Sequence, residues 1–291
     1  MILFIQQVVS GLSIGAVYSL LAVGYALVYS VYNFTNWAFD AFMVAGAFAG
    51  FYAIASFFIP PVPAIALALL AAVILSVGVE RIAYRPLRLR NAPRLFMMIS
   101  AMGANLCIIN LANLFFGGQF RKFPEIASGT IFLGGVAVGK MDLFAAGFSA
   151  VALAILWFFL YRTRAGLGIR ASAIDTLTAS IMGINNDAVA FMVFAISGVL
   201  SGSAGVFYGI KYAVYPYLGI VTLKAMIASI IGGLGSLPGA VLGSLLLGVT
   251  ETLVSGYISS VYRDLFSFSI LVLILLFFPN GLLGSKDSEK L

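Results

Sequence analysis

Long apolar runs separated by short polar segments dominate the pattern of hydrophobic and polar positions in this chain. A helix needs about 20 apolar residues to cross the roughly 30 Å of hydrocarbon in a bilayer. We therefore predict membrane segments at roughly 5–30, 36–58, 62–82, 95–116, 142–161, 188–209, 221–234, 236–256 and 264–279. The segment 221–234 is short, so it either crosses or re-enters the bilayer. The predicted fold is an all-α polytopic membrane protein with about 8–9 membrane segments.

Composition supports this reading. Hydrophobic residues make up 62% of the 291 positions and charged residues 9%, whereas soluble domains have about 45–50% apolar and about 25% charged residues. A soluble chain of this kind could not cover its own surface with polar groups, so lipid is its expected solvent. No segment between the predicted spans is long enough for a soluble domain. Residues 1–291 are therefore predicted to form a single transmembrane domain.

Basic residues cluster between alternate predicted spans, and this clustering predicts the orientation. Cytoplasmic loops of membrane proteins carry an excess of Lys and Arg. If the spans alternate, ten basic residues share one side, namely Arg81, Arg85, Arg88, Arg90, Arg94, Arg162, Arg164, Arg170, Lys286 and Lys290. The opposite side holds the other six. We expect the N-terminus outside and the C-terminus in the cytoplasm.

Several kinds of chemistry are excluded by residue type. The chain has no His and a single Cys107, so His metal sites, imidazole catalysis and cysteine clusters cannot form. A phosphate-binding Gly-x-x-x-x-Gly-Lys-Ser/Thr loop is also absent. We therefore predict no catalytic residues, no metal site and no ATPase site in this chain. Any energy source would be a partner or an ion gradient.

Small residues at four-residue spacing predict closely packed helices, because membrane helices gain little from hydrophobic burial. The pairs are Gly11/Gly15, Gly46/Gly50, Gly198/Gly202, Gly205/Gly209 and Gly239/Gly243. A glycine-rich run also interrupts an apolar stretch, and it predicts a broken helix or a tight cytoplasmic turn. Its candidate gate or pathway residues are Gly232, Gly233, Gly235, Pro238 and Gly239.

Two acidic residues within predicted spans are further candidates, because charges in a bilayer are costly and tend to be functional. Asp40 lies near the start of the second span and either sits at the cytoplasmic interface or belongs to a gate or pathway. Glu251 lies deep in its span. It is either a buried helix contact or a pathway residue.

The segment 162–187 is the longest internal stretch expected on the cytoplasmic side. Residues Ile169–Met182 are Ala-rich and free of Pro and Gly, so they predict a short helix that stops at Gly183. One face carries Ile174, Leu177 and Ile181. Such an apolar face either docks into a protein groove or lies on the membrane surface.

Five motifs form a set. They are Arg-Thr-Arg-x-Gly-x-x-Ile-Arg-Ala-x-Ala-x-Asp from Arg162, followed by Met-Gly-Ile-Asn at Met182, and the segments Gly232–Gly243, Gly11–Gly24, Arg85–Arg88 and Pro279–Gly284. Together they resemble the LivH-type permease subunits of branched-chain amino acid ABC importers. The resemblance spans nearly the whole chain.

The resemblance implies the ABC importer permease fold and a coupling loop that docks on the ATPase subunit. The coupling residues it implies are Arg162, Arg164, Gly166, Arg170, Ala171, Asp175, Ala179, Met182 and Gly183. The implied partners are a second related permease, two cytoplasmic ATPases, an extracytoplasmic solute-binding protein and the lipid bilayer, but no nucleic acid. ATP and Mg²⁺ would bind to the ATPases, with no cofactor on this chain. The implied location is a bacterial-type plasma (inner) membrane.

One segment departs from the family pattern. Where the family commonly has Asn-Phe-Ala-His-Gly-Glu, this chain has Asn36-Trp37-Ala38-Phe39-Asp40-Ala41. Asn36 matches the family pattern and is a gate or pathway candidate. The acid of the pattern is displaced by one position, from the position of Ala41 to that of Asp40. The implied solutes are branched-chain amino acids, with urea, amides or other carboxylates as alternatives. The competing classes are an ion-coupled transporter or channel and an intramembrane enzyme. Each of these classes needs a set of intramembrane polar residues that this chain does not have.

Overall fold

The computed structural model describes residues 2–124, 129–133 and 136–284. The α-helices in chain order are α1 (Ile2–Tyr32), α2 (Phe39–Ala55), α3 (Pro61–Val79), α4 (Arg85–Leu89), α5 (Arg94–Phe116), α6 (Lys140–Arg162), α7 (Arg164–Ile174), α8 (Thr176–Ile181), α9 (Asn186–Lys211), α10 (Val221–Gly232), α11 (Leu237–Tyr257) and α12 (Arg263–Phe277). A π-helix, Glu80–Tyr84, joins α3 to α4. The 3₁₀ helices Leu218–Ile220 and Ser260–Tyr262 precede α10 and α12.

Seven helical segments of the described residues are long and apolar enough to cross a membrane. The segments Phe39–Ala55 and Leu218–Gly232 are apolar but shorter. The prediction of a short helix near 221–234 is confirmed by α10, which has 12 residues. The second predicted span, 36–58, is wrong in extent, because α2 has only 17 residues and an irregular connection precedes it.

The segment between α5 and α6 contains structure that the hydropathy pattern does not predict. Strands β1 (Thr130–Leu133) and β2 (Val136–Gly139) form an antiparallel hairpin with Thr130 opposite Gly139. Both strands contain β-branched residues, which favour extended backbone. The list of predicted membrane segments contains no strand, so the sequence reading of this segment is incomplete.

The described residues pack into two compact units. One unit lies within residues 27–126 and 151–221 and is built on close packing of α2, α3 and α9. A Cβ on Gly46 would lie 2.6 Å from the Cα of Gly202, and a Cβ on Gly205 would overlap the carbonyl oxygen of Met43. Side chains at these positions would force the backbones apart, so these glycines set the spacing of the helices.

The other unit lies within residues 1–26, 127–150 and 222–291. Gly15 of α1 packs against the backbone of α11, where its Cβ would lie 2.8 Å from the carbonyl oxygen of Ser244. Gly248 of α11 faces Gly11 and Gly15 in return. In each of the five glycine pairs singled out in the sequence, at least one glycine lies so close to another backbone that no Cβ fits, which confirms the prediction of tight packing.

Candidate functional site

Asn36 lies in the connection between α1 and α2 and determines how α2 begins. This residue is fully buried. Its Oδ1 accepts hydrogen bonds from the N–H of Ala38 at 3.0 Å and from the hydroxyl of Tyr84 at 2.7 Å. The first bond makes a local turn, and the second joins the connection to the π-helix. Asn36 therefore holds the start of α2 in place.

Helix α2 begins halfway along α5. The N–H of Ala41 donates to the Oδ1 of Asn105 at 3.0 Å, and Asn105 is the central residue of α5. At the other end, the rings of Phe48 and Tyr52 pack against Phe116, the last residue of α5. Helix α2 thus lies beside only the second half of a helix long enough to span the membrane.

Asp40 lies in the first turn of α2 and contacts a second interrupted segment. Its Oδ2 accepts a hydrogen bond from the Nδ2 of Asn105 at 3.4 Å, while its Oδ1 is buried without a hydrogen-bond partner. This Oδ1 occupies the space that a side chain on Gly219 would fill. Gly219 belongs to the 3₁₀ helix that precedes α10. The contact between these two segments is named the broken-helix junction here, and transporters often place solute sites at such interruptions.

Glu251 is buried in α11 and its charge is compensated. Its Oε1 lies 2.9 Å from the Nζ of Lys224 and accepts a hydrogen bond from the hydroxyl of Ser267 at 2.9 Å. Its Oε2 accepts a hydrogen bond from the hydroxyl of Tyr18 at 3.1 Å. Lys224 also lies 2.7 Å from Asp264. The carboxylate of Glu251 therefore joins four helices, α1, α10, α11 and α12.

The glycine-rich run forms a tight turn between α10 and α11. Gly233 and Gly235 have positive φ values of 112° and 85°, a conformation that glycine adopts with little strain. Gly232 and Gly239 approach so closely that a Cβ on either would overlap the other's backbone. Pro238 lies in the first turn of α11, where its missing N–H breaks no hydrogen bond because backbone N–H groups there have no acceptor within the helix.

The segment after α12 packs against this turn. The N–H groups of Leu282 and Leu283 donate to the carbonyl oxygens of Ile231 and Gly232, each at 2.9 Å. Gly281 faces Gly233, where a Cβ would lie 2.5 Å from the Cα. The motif Pro279–Gly284 is thus bonded to the end of α10.

The segment 162–187, which is predicted to be a coupling loop, contains two helices where the sequence predicts one. The prediction of a single helix over Ile169–Met182 is wrong, because Asp175 adopts an extended conformation between α7 and α8. Its carboxylate accepts hydrogen bonds from the N–H groups of Leu177 and Thr178 and so caps α8. Gly183, with φ of 88°, ends the segment as expected.

The first of these helices is fixed to the end of α6. Thr163 caps α7 by accepting a hydrogen bond from the N–H of Gly166 at 3.0 Å. Gly166 lies against the backbone of Leu160, where no side chain fits. The guanidinium of Arg170 lies 4.9 Å from the ring centre of Tyr161. Arg162 and Arg164 are exposed and Ala171 is half-buried.

The predicted apolar face of the coupling loop is exposed. Ile174, Leu177, Ile181 and Met182 have between 70% and 78% of their surface accessible. Ala179 is buried, so the short helix α8 presents one side inward and the other outward. Four large apolar side chains in one exposed group indicate an interaction surface.

Comparison with known proteins decides the family. The sequence family described as the permease component of branched-chain amino acid transport systems matches residues 7–275. The chain belongs to this family. LivH of Escherichia coli, a high-affinity branched-chain amino acid transport system permease protein, is 34% identical over 308 residues, covering 99% of this chain and 97% of LivH. BraD of Pseudomonas aeruginosa is 33% identical, covering 99% of this chain and 98% of BraD.

A solved structure shares the fold. The structure of PsaBC from Streptococcus pneumoniae in complex with Fab aligns with a TM-score of 0.54 at 15% identity, covering 91% of this chain and 90% of that chain. The permease is therefore a multi-pass membrane protein with the ABC importer permease fold, and its candidate membrane segments are all helices. It is a transport subunit and not itself an enzyme. In such systems ATP binds to partner ATPases, and a binding protein is a general partner.

The permease also contains an ion-pair cluster that our sequence reasoning missed. The buried carboxylate of Glu80 lies 2.9 Å from Arg88, which also lies 2.8 Å from Asp187. Asp187 pairs in addition with Arg85 at 2.8 Å. The cluster joins the π-helix and α4 to Asp187 in the first turn of α9, at the end of the segment 162–187. In the sequence, such a cluster is indicated by the position of Glu80, which lies directly before a segment with five arginines.

Proposed function

We propose that this permease forms the membrane path for branched-chain amino acids. The observation that carries the proposal is the near-full-length likeness to LivH and BraD, whose names give this substrate class. The broken-helix junction supports it, because interrupted helices expose backbone and polar groups along a path. Permeases for urea, amides or other carboxylates are the alternative within the same family.

The complete importer, in this proposal, contains a second related permease, two cytoplasmic ATPases and an extracytoplasmic solute-binding protein. Mg²⁺ and ATP bind to the ATPases. The assembly lies in a bacterial-type plasma membrane, with the N-terminus of this chain outside and its C-terminus inside. The excess of basic residues in the segments 81–94 and 162–170 supports this orientation.

The coupling loop docks on an ATPase subunit in this proposal. The exposed apolar side chains of α7 and α8 need a groove that removes them from water. The cap at Thr163, the close contact at Gly166 and the ion pairs of Asp187 hold both ends of the loop. A displacement of α7 and α8 by a closing ATPase is therefore transmitted to α6 and α9 instead of being absorbed locally.

The gate in this proposal involves the broken-helix junction with Asn36 and Asp40. The turn of Gly232, Gly233, Gly235, Pro238 and Gly239 holds the cytoplasmic end of α10, where positive φ values permit tight reversal. Glu251 has a positioning role, because its partners come from the helices around it.

Reconstitution of the complete transporter in proteoliposomes tests the proposal. We expect saturable uptake of radiolabelled leucine, isoleucine and valine that requires ATP and the binding protein. Urea and short amides serve as competing substrates in the same assay. Uptake by the permease alone without nucleotide would contradict the ABC mechanism. Uptake of urea or amides in preference to leucine would contradict the substrate assignment.

A further inference from the structure

The two acids in the membrane segments differ in how their charge is compensated. Glu251 has an ammonium group and two hydroxyl groups within hydrogen-bonding distance. Asp40 has a single, long hydrogen bond from Asn105, and its Oδ1 has none. Within the described residues, Asp40 takes part in no ion pair. A carboxylate can accept about four hydrogen bonds, so most of the capacity of Asp40 is unused.

Such a carboxylate is costly at this depth. Ala41, the next residue, is bonded to the centre of α5, so Asp40 lies near the middle of a membrane-spanning helix. A charged side chain at the centre of a bilayer costs at least about 2.5–3.5 kcal/mol, and such residues normally have a partner or a function. The missing partner of Asp40 is therefore expected to be a cationic group that arrives from elsewhere.

Asn105 orients the carboxylate without neutralising it. Its Oδ1 is engaged by the N–H of Ala41, so its Nδ2 points to Asp40. Asp40 and Asn105 are both half-buried, so part of each residue remains accessible. The backbone of Gly219 closes the opposite side. A compact ammonium group suits this arrangement better than a planar guanidinium, because few atoms can approach the remaining lone pairs.

We propose that the carboxylate of Asp40 at the broken-helix junction binds the ammonium group of the amino acid as it passes through the permease. This inference rests on the proposed function, in which the cargo is a zwitterionic amino acid. The ammonium group of the cargo supplies the positive charge that no side chain of the described residues places beside Asp40. Occupied and empty states of the path then differ in the charge balance between α2 and the 3₁₀ helix Leu218–Ile220. Asn105 acts as a positioning residue.

The test compares Asp40→Asn with wild type in the complete reconstituted transporter. We expect the maximal uptake rate of leucine to fall at least about tenfold, equivalent to 1.4 kcal/mol. The ATP hydrolysis stimulated by the binding protein is expected to persist, so fewer leucine molecules enter per ATP. The matched control is Asp142→Asn, which changes another first-turn acid, in α6, and leaves uptake near wild type. Equal uptake by Asp40→Asn and wild type would overturn the inference.

A second measurement needs no variant and so remains decisive if Asp40→Asn fails to assemble. The wild-type permease–ATPase complex is incubated with radiolabelled leucine at millimolar concentration, without the binding protein, and the bound label is measured. Leucinol keeps the ammonium group and is expected to displace the label, whereas 2-hydroxy-4-methylpentanoate lacks it and is not. Equal displacement by both, or no leucine binding, would refute the role of Asp40. The proposed function fails separately, if the complete wild-type transporter does not import leucine.

Discussion

Replacing Lys224 with methionine removes the cation from the buried carboxylate of Glu251 while keeping a side chain of similar length. Glu251 is 2% exposed and Lys224 20% exposed, and their charged atoms lie 2.9 Å apart. The other partner of Lys224, Asp264, is 68% exposed. Water can therefore compensate for the loss at Asp264, whereas it cannot reach Glu251.

The structure sets the expected magnitude. Removing one partner of a buried ion pair costs about 3–5 kcal/mol, because the remaining charge is left uncompensated. Tyr18 and Ser267 still donate to Glu251 in the variant, which reduces the penalty. We expect a loss of about 2–3 kcal/mol in the free energy of unfolding. The double variant Lys224→Met/Glu251→Gln removes the buried charge and is expected to recover to within about 1 kcal/mol of wild type.

Unfolding of the purified permease in mixed micelles measures these differences. Wild type, Lys224→Met, Glu251→Gln and the double variant form a double-mutant cycle. Asp264→Asn is the matched control, because it breaks the exposed half of the same ion-pair network, and it is expected to cost less than about 1 kcal/mol. The reasoning is refuted if Lys224→Met is no more destabilising than Asp264→Asn. It is also refuted if the double variant is less stable than Lys224→Met.

Two further predictions follow from the packing and from the coupling loop. Gly205→Leu places a side chain into the carbonyl of Met43 and is expected to abolish folding, measured as loss of a monodisperse peak in size-exclusion chromatography. The control Gly103→Leu meets no atom within 4 Å and should elute as wild type does. Equal elution of the two variants would contradict the close-packing argument. Asp175→Ala removes the cap of α8, worth about 1 kcal/mol, and is expected to lower leucine uptake per ATP in proteoliposomes, whereas Asp175→Asn can still cap and should retain coupling. Normal coupling in Asp175→Ala would be evidence against the docking role.

Hydropathy predicted the membrane segments because a helix in lipid must satisfy its backbone internally and present apolar side chains over a fixed length. Glycine spacing predicted the close contacts, because the absence of a Cβ lets the backbones of any helix pair approach closely. The division of the coupling loop was not predicted. Asp175 could equally have faced solvent within one long helix, and only its capping bonds interrupt that helix.

The role of each intramembrane acid depended on residues distant in the chain. Asp40 meets Asn105 and Gly219, whereas Glu251 meets Tyr18 and Lys224. By itself, the sequence determined that lipid surrounds this chain and that its helices pack closely, because composition and short-range spacing carry that information. The permease family was indicated by the resemblance of its motifs. Only the tertiary structure decided which acid is neutralised and which is left open, because the cost of a buried charge depends on the groups that folding brings within about 3 Å of it.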